Sequence, residues 1–560
     1  MDTSDTVSSS AKTGPVPGPA PGASPAASGA DLTGRSRMMR NVLTSWAAYL
    51  VYIVAGFVMP HLIDRHIGQE SLGVWDFGWS LVGYFGLVSG GVTSAISRYV
   101  AHYRAIGETE LLNTTVSTGW AMYLCTSMLV LGLTVLTVAL IPVMFATRLG
   151  DHVQDAQWVV FLLGISLVIQ FLFSVFTGVI TGCHRWGIHN AISAGSYAVA
   201  VVGMIIAVLA GGGLRWLAVM SLLGEVIAAL ARFVAARRVC PELHISSRRM
   251  RLKHAGEMLR FGGKSLLGSV GELLLYKTTN LIILGYLGPA AIALYARPAS
   301  LVSQAATMVN KFAYVLTPTA SALHSKNDPA ALREMWIKAG TYSLYIALPM
   351  VLVIAIAGGT LLELWMGKGY RNSSLIAVLA LGHLAYIQQR TSYQVLMGIG
   401  RHGFPAVVMV VVALCAAGLS LLFLGPLHLG LVSVAFAVTI PLTAANLFVV
   451  PLYACRIMQM SYLQYVRQTM TKPVLATAPL GACLFGAQYL FPENGIAALL
   501  LGLACGGAIT AVIYWKYVLP EALRQSVIRF LPWGRQPSGA GATEPLLIAP
   551  PASDGRREAP

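Results

Sequence analysis

The stretch "LGPAAIALYARPASLV", Leu287 to Val302, decides the fold because a similar stretch, "IGQESLGVWDFGWSLV", lies at Ile67 to Val82. The two stretches start 220 positions apart and share glycine, serine, leucine and valine at aligned positions. A second pair of segments, "GCHRWG" at Gly182 to Gly187 and "GIGRHG" at Gly398 to Gly403, is 216 positions apart. Two matches in the same order, at nearly one spacing, indicate an internal duplication.

The composition is that of a membrane protein. Of 560 residues, 56% are hydrophobic and only 11% are charged, whereas a soluble domain carries about 25% charged residues. The seven cysteines are scattered and show no spacing of a metal or redox site. We expect residues 1–37 and most of residues 518–560 to form disordered cytoplasmic tails, with no cleavable signal peptide.

Long apolar segments predict about fourteen transmembrane helices, because each has close to the 20 residues that a membrane span needs. They are residues 41–62, 74–99, 116–146, 157–181, 190–211, 216–236, 263–287, 291–320, 339–361, 374–397, 404–424, 430–454, 473–491 and 496–517. Lys and Arg concentrate in alternate loops, most densely between Arg237 and Lys264. Positive charge marks the cytoplasmic side, so both termini are predicted to be cytoplasmic.

The spacing of the duplicated segments equals six helices, so the two repeats have the same orientation in the membrane. We therefore predict an all-α polytopic membrane protein with two parallel-repeat six-helix lobes and two additional C-terminal helices. The N-lobe covers residues 38–237, a basic cytoplasmic loop residues 238–262, the C-lobe residues 263–456 and the additional helices residues 457–517. Transporters with such halves bind the substrate between them and rock the halves in turn.

Four segments, in this order, carry a resemblance to a known family. They are the opening Asn41 to Leu81, "SRYVA" at Ser97 to Ala101, "GYLGPAAIALYARPASLV" at Gly285 to Val302, and "LELWMGKGY" at Leu362 to Tyr370. Over residues 38–517 the chain resembles the polysaccharide or O-antigen repeat-unit flippases. These form the polysaccharide transporter branch of the multidrug/oligosaccharidyl-lipid/polysaccharide exporter (MOP) superfamily, whose fold is MATE-like.

The resemblance implies a function, a location and a cavity. The chain would move undecaprenyl-diphosphate-linked oligosaccharide from the inner to the outer leaflet of a bacterial cytoplasmic membrane by alternating access. The cavity would be lined mainly by the predicted helices one, two, seven and eight. Membrane lipids and a polysaccharide polymerase or export machinery are the implied partners, and nucleic acid is not one. We expect no cofactor except a coupling ion, H⁺ or Na⁺.

Three alternative functions are open. One is a cation-coupled multidrug exporter of the same superfamily, although its usual acidic ion site in the first lobe has no match in helix one beyond Asp64, at the end of that helix. Another is a flippase for a peptidoglycan lipid precursor. The third is a membrane glycosyltransferase, which generally needs a sizeable outer loop with catalytic groups. Because no predicted outer loop is that long, the sequence indicates a transporter and not an enzyme.

Cations inside the predicted spans are the candidate substrate ligands. An ionisable group at the centre of a membrane helix costs about 2.5–3.5 kcal/mol, so it usually faces a cavity or a partner. Lys277 and Arg297 are predicted at similar depth on neighbouring helices, where they could flank a lipid diphosphate. Lys311 and Arg98, nearer the inner ends of their helices, are further candidates. Arg297 has no counterpart in the first lobe, where Phe77 stands.

Two alternatives stay open for these cations: Arg297 could reach outward to the membrane surface, and Lys277 could pair with an acidic residue, Glu272 or Asp76. The candidates for ion coupling or gating are Glu272, Glu225, Asp76, Asp64 and Arg65. A structural pair with Arg232, two helical turns away, is the alternative for Glu225. Asp64 and Arg65 favour a surface or gating pair.

Aromatic and hydroxyl groups on the predicted helix two are candidate sugar contacts. Trp79, Ser80 and Tyr84 could stack on sugars or hydrogen-bond to them, whereas Trp75 is typical of an interfacial aromatic belt. Arg390 in the predicted helix ten is expected in packing contacts near the inner side.

Overall fold

The computed structural model describes residues 35–89, 91–519, 521 and 524–525, and within them the chain forms helices and no strand. The predictions for the two tails therefore lie almost entirely outside the described residues. The α-helices are α1 (Arg35–His66), α2 (Gln69–Phe85), α3 (Val92–Ala105), α4 (Thr109–Leu149), α5 (Val153–Gly182), α6 (Trp186–Leu209), α7 (Leu214–Val239), α8 (Leu252–Leu273), α9 (Thr279–Leu287), α10 (Pro289–Tyr314), α11 (Leu316–Ser325), α12 (Pro329–Met366), α13 (Ser373–Gly398), α14 (Gly403–Leu424), α15 (Leu431–Ala444), α16 (Val450–Ile457), α17 (Tyr462–Leu490) and α18 (Gly495–Ile513). Short π-helical turns, Leu274–Thr278 and Ala445–Val449, join α8 to α9 and α15 to α16.

The helices coincide with the predicted spans apart from residues at their ends. By length and hydropathy, nine segments of the described chain can cross a membrane, or ten if the bent pair α2 and α3 forms one span. One of these segments, Thr109–Gly182, contains both α4 and α5. The all-helical, multi-span fold is thus confirmed, whereas the count of fourteen is not.

Three predicted spans are absent from this apolar set for a physical reason. They are α8 with α9, α10 with α11, and α13. Each carries ionisable side chains along its length: Glu272 and Lys277, Arg297 and Lys311, and Arg390, respectively. Since lipid cannot solvate such groups, these helices must turn them toward the interior of the bundle.

The second predicted span, residues 74–99, is in fact two helices. The axes of α2 and α3 are bent by 45° with respect to each other. Gly91 precedes α3 with φ of 69°, a conformation that glycine adopts without the steric cost of a Cβ atom. An apolar pattern with no proline did not reveal this break.

The two halves of the chain meet at the end of the bundle where α1 and α9 end and α2 and α10 begin, which we call the closed end. Tyr370 donates a 2.6 Å hydrogen bond to Asp64 Oδ1, and Trp365 Nε1 donates one of 2.7 Å to the carbonyl oxygen of Phe57. Burial and the hydrogen bond to Asp64 raise the pKa of the Tyr370 phenol, which therefore stays protonated and continues to donate. The charge pattern predicts that the closed end faces outward. The division into two six-helix lobes stays a prediction.

The start of α2 lies against the start of α10 at Gly73. A Cβ atom on Gly73 would lie 1.8 Å from the carbonyl oxygen of Pro289, so no side chain fits there without separating the helices. We expect Gly73→Val to lower stability by about 1–3 kcal/mol and to raise backbone hydrogen exchange at the start of α2. Gly132→Ala is the matched control, because no atom lies within 4 Å of its Cβ position. Equal exchange in Gly73→Val and the wild type would contradict this account of the closed end.

Candidate functional site

Asp76 and Arg297 form an ion pair between the two halves of the chain. The guanidinium Nη2 of Arg297 on α10 lies 2.5 Å from Asp76 Oδ2 on α2, and Arg297 is only 6% exposed. Arg297 Nε makes no hydrogen bond within the described part of the chain. Arg297 therefore does not reach outward to the membrane surface; it is held inside, with one donor unused.

Lys277 lies beside this pair, in the π-helical turn between α8 and α9. A Cβ atom on Gly83 of α2 would lie 3.1 Å from Lys277 Cε, so the lysine stem runs directly along α2. No carboxylate of the described residues lies within ion-pair distance of the Lys277 ammonium, since Asp76 is bound to Arg297 and Glu272 to Arg390. The alternative that Lys277 is paired with Glu272 or Asp76 is thus wrong in this conformation. π-helical turns inside α-helices occur frequently at functional sites.

Polar side chains connect α2 to α9 and the turn before it. Tyr84 and Thr278 are hydrogen-bonded, with 2.6 Å between their oxygens, and Asn280 Nδ2 donates a 2.9 Å bond to Ser80 Oγ. Ser80 is fully buried and donates to the carbonyl oxygen of Asp76. In this conformation Ser80 is a structural residue that no sugar can reach, which differs from the prediction. Tyr84 is half-buried and is engaged by Thr278.

The N-terminal half contains a cavity of about 550 Å³ with a mixed polar and apolar lining. Glu225 Oε1 and Arg232 Nη1 pair at 2.7 Å in its wall, so the structural alternative for Glu225 is present. Trp75 and Trp79 also line this cavity. Trp75 is buried, which contradicts its placement in an interfacial belt, while Trp79 is 43% exposed.

A smaller cavity of about 160 Å³ lies in the C-terminal half, and the Glu272 and Arg390 side chains line it. Arg390 Nη1 lies 2.5 Å from Glu272 Oε1, and Tyr386 donates a 2.6 Å hydrogen bond to the same oxygen. Arg390 thus takes part in a second interhelical ion pair, between α8 and α13.

The remaining predicted site residues lie away from the Asp76–Arg297 pair. Asp64 is bound by Tyr370 and not by Arg65, which is exposed, because the last turn of α1 points the two neighbouring side chains in different directions. Lys311 Nζ lies 3.2 Å from the ring centroid of Tyr49, a cation–π contact between α10 and α1. Arg98 is exposed on α3.

Several residues that build the site were missed in the sequence. They are Tyr370, Thr278, Asn280, Tyr386, Gln170, Ser174 and His189, all of which contact a predicted site residue or line a cavity with one. Amide and hydroxyl groups inside apolar spans were the available signal. That signal does not by itself distinguish cavity residues from helix-to-helix contacts.

The sequence matches a family of polysaccharide biosynthesis proteins. Residues 103–375 match the family model described as "Polysaccharide biosynthesis protein". The chain is 25% identical over 459 residues to "Uncharacterized membrane protein EpsK" of Bacillus subtilis (strain 168), a match that covers 80% of this chain and 87% of that protein. It is 22% identical over 383 residues to "Putative O-antigen transporter" of Shigella flexneri, covering 64% of this chain and 86% of that protein.

The fold is similar to that of solved transporters. An inward-facing multidrug resistance MATE family transporter of the MOP superfamily superposes with a TM-score of 0.63 at 15% identity, covering 73% of this chain and 94% of that one. The Lipid II flippase MurJ in an inward closed conformation gives 0.60 at 13% identity, covering 87% and 100%. The predicted family, the MATE-like fold and a transporter in place of an enzyme are thereby confirmed. The chain belongs to the polysaccharide biosynthesis family, and it is a multi-span membrane protein with the transporter fold of the MOP superfamily.

Proposed function

We propose that the chain is a flippase for undecaprenyl-diphosphate-linked oligosaccharide, moving it from the inner to the outer leaflet of a bacterial cytoplasmic membrane. The family match and the similarity to an O-antigen transporter support a substrate from polysaccharide biosynthesis. The fold similarity to a flippase of Lipid II is consistent with a lipid-linked substrate.

The observation that carries this proposal is the unpaired ammonium of Lys277 at the interface between the halves. A cation inside a membrane protein is expensive unless something compensates its charge. Within the described residues no acid does so, because the neighbouring carboxylates are bound to arginines. An anionic substrate group would supply the missing charge, and a diphosphate is the anionic part of a lipid-linked oligosaccharide.

Arg297 would join Lys277 when the closed end opens. Its guanidinium is held by Asp76 while α2 and α10 are together, and it is released when they separate. Arginine binds phosphate oxygens with two parallel hydrogen bonds, whereas lysine acts as a point charge. The two cations could then hold the diphosphate while it leaves on the outer side. Lys311 and Arg98 stay proposed contacts of the diphosphate nearer the inner side.

The large cavity of the N-terminal half is the proposed place for sugar contacts and for ion coupling. Trp79 is exposed at its wall, and indole rings stack on sugar faces. Glu225 lies in the same wall beside Arg232, so a proton or Na⁺ that bound Glu225 would compete with the arginine. Glu272 is placed in the same way next to Arg390. A polysaccharide polymerase remains a proposed partner.

Deletion of the gene tests the function. We expect undecaprenyl-diphosphate-linked oligosaccharide to accumulate on the inner side of the membrane, with loss of surface polysaccharide. Complementation with the intact gene should restore both. Unchanged glycans together with new drug sensitivity would replace this proposal with the multidrug exporter. Accumulation of the peptidoglycan lipid precursor would point to the related flippase function.

A further inference from the structure

A basic groove lies outside the site described above, between α12, α17 and the π-helical turn Tyr514–Val518. Its volume is about 920 Å³, and it is lined by the cations Lys338, Arg467 and Lys472. Hydroxyl and amide groups, among them those of Tyr342 and Gln468, line the same space. We call this cavity the α12–α17 groove.

The groove rests on a rigid contact between its two helices. The rings of Trp336 on α12 and Tyr465 on α17 stack with centroids 4.4 Å apart and an angle of 8° between their planes. Trp336 Nε1 donates a 2.8 Å hydrogen bond to Ser392, and Gln388 Nε2 donates one of 2.8 Å to the Tyr465 hydroxyl. All four side chains are buried. The cations two residues after each ring are therefore presented from a fixed base.

The positive charge of the groove is poorly compensated. Lys338 pairs with Glu334 at 2.5 Å, but both side chains are 64% exposed, and exposed pairs of this kind contribute little. In the described part of the chain, no acidic side chain lies within 4.0 Å of Arg467 or Lys472. Three cations thus converge from two helices with one exposed carboxylate between them.

The depth of the groove corresponds to the headgroup layer of a membrane. α12 has 38 residues, a length of about 57 Å at 1.5 Å per residue, against a hydrocarbon core of about 30 Å. Lys338 lies in the first third of α12, before the apolar part of the helix. Arg467 and Lys472 likewise precede the apolar part of α17, which begins at Pro473. All three cations are therefore at the membrane boundary, on the side that the charge pattern predicts to be cytoplasmic.

We propose that the α12–α17 groove binds the phosphate headgroup of an anionic glycerophospholipid from the surrounding leaflet. The charge, the hydroxyl and amide donors and the depth match such a headgroup, whose acyl chains would continue along the apolar parts of the two helices. A bound phosphate offsets the repulsion between the cations of α12 and α17 and so fastens α17 to the bundle. This binding does not depend on what the chain transports.

The test compares two triple variants of the full chain in nanodiscs of phosphatidylcholine with a minor share of phosphatidylglycerol. The groove variant is Lys338→Gln, Arg467→Gln and Lys472→Gln, and the matched control is Arg185→Gln, Arg238→Gln and Lys253→Gln, three exposed cations of the other half. Native mass spectrometry measures the phosphatidylglycerol that each protein retains. We expect at least an about tenfold loss of affinity in the groove variant and none in the control, because each surface cation adds attraction for anionic lipid.

Three outcomes would overturn the proposal. Equal losses in both triple variants would mean diffuse attraction to basic residues. Unchanged retention in a folded groove variant would mean that the groove holds no lipid. Displacement of phosphatidylglycerol by soluble glycerol phosphate at equal concentration would mean a site for free phosphate. A melting temperature of the groove variant, measured without anionic lipid and equal to that of the wild type, confirms that the variant is folded.

Discussion

Replacing Lys277 with Ala is expected to lower the affinity for lipid-linked oligosaccharide by roughly tenfold to a hundredfold, and with it export. The loss corresponds to one charge-assisted hydrogen bond to a phosphate oxygen, about 1.5–3 kcal/mol. Accumulation of the lipid-linked intermediate inside and the amount of surface polysaccharide measure the effect. Lys277→Arg keeps the charge and should retain part of the export.

The same substitution is expected to leave stability unchanged or to raise it. No ion pair of the described residues is lost with Lys277, since Asp76 and Glu272 have arginine partners. Removing an uncompensated charge from the membrane interior also removes a cost of insertion. A thermal melt of the purified protein, compared with the wild type, measures this. Loss of export without loss of stability separates a substrate contact from a structural role.

Lys326→Ala is the control for Lys277, because Lys326 is an exposed lysine between α11 and α12. It should export like the wild type. Full export by both Lys277→Ala and Lys277→Gln would show that the cation is not a substrate ligand. A melting temperature of Lys277→Ala well below that of the wild type would show that the lysine has an intramolecular partner instead.

The sequence predicts the helices well because lipid permits few alternatives to them. Each apolar segment of sufficient length had to become a helix, so all of the proposed spans coincide with one or two of them. The break between α2 and α3 and the π-helical turn at Lys277 were not predictable in this way. Both depend on local backbone geometry that an apolar pattern does not encode.

The partners of the buried charges separate what periodicity can predict from what it cannot. The pair of Glu225 with Arg232 was an open alternative because two helical turns place the residues on one face. The partner of Glu272, Arg390, is 118 positions away on another helix, and no spacing rule connects them. Asp76 and Arg297 are likewise 221 positions apart. Comparing the repeats located Arg297 as an asymmetry between the halves, but only the three-dimensional structure identifies Asp76 as its partner.

Breaking the Asp76–Arg297 pair is expected to have the largest effect on stability of any change at the site. Removing one partner leaves a buried charge uncompensated, which costs about 3–5 kcal/mol. Asp76→Leu and Arg297→Met should therefore each lower the melting temperature strongly. The double variant should recover most of the loss, because apolar residues of similar size often replace a buried ion pair at little cost.

Export should not recover with stability in the double variant. If Arg297 binds the diphosphate after the closed end opens, every variant without the guanidinium remains deficient, however stable it is. Intermediate accumulation in the cell and the thermal melt of the purified chain are measured on the same set of variants. Normal export by the double variant would mean that Arg297 only holds α10 to α2.

The pair of Glu225 and Arg232 provides the control, because it is also buried but lies within one helix. Glu225→Met, Arg232→Met and their combination should repeat the pattern of loss and recovery in stability. Only the Asp76 and Arg297 variants should raise hydrogen exchange in the first turns of α2 and α10, since that pair alone of the two joins these helices. Equal exchange in both sets would contradict a gating role for Asp76 and leave the ion pair as a general determinant of stability.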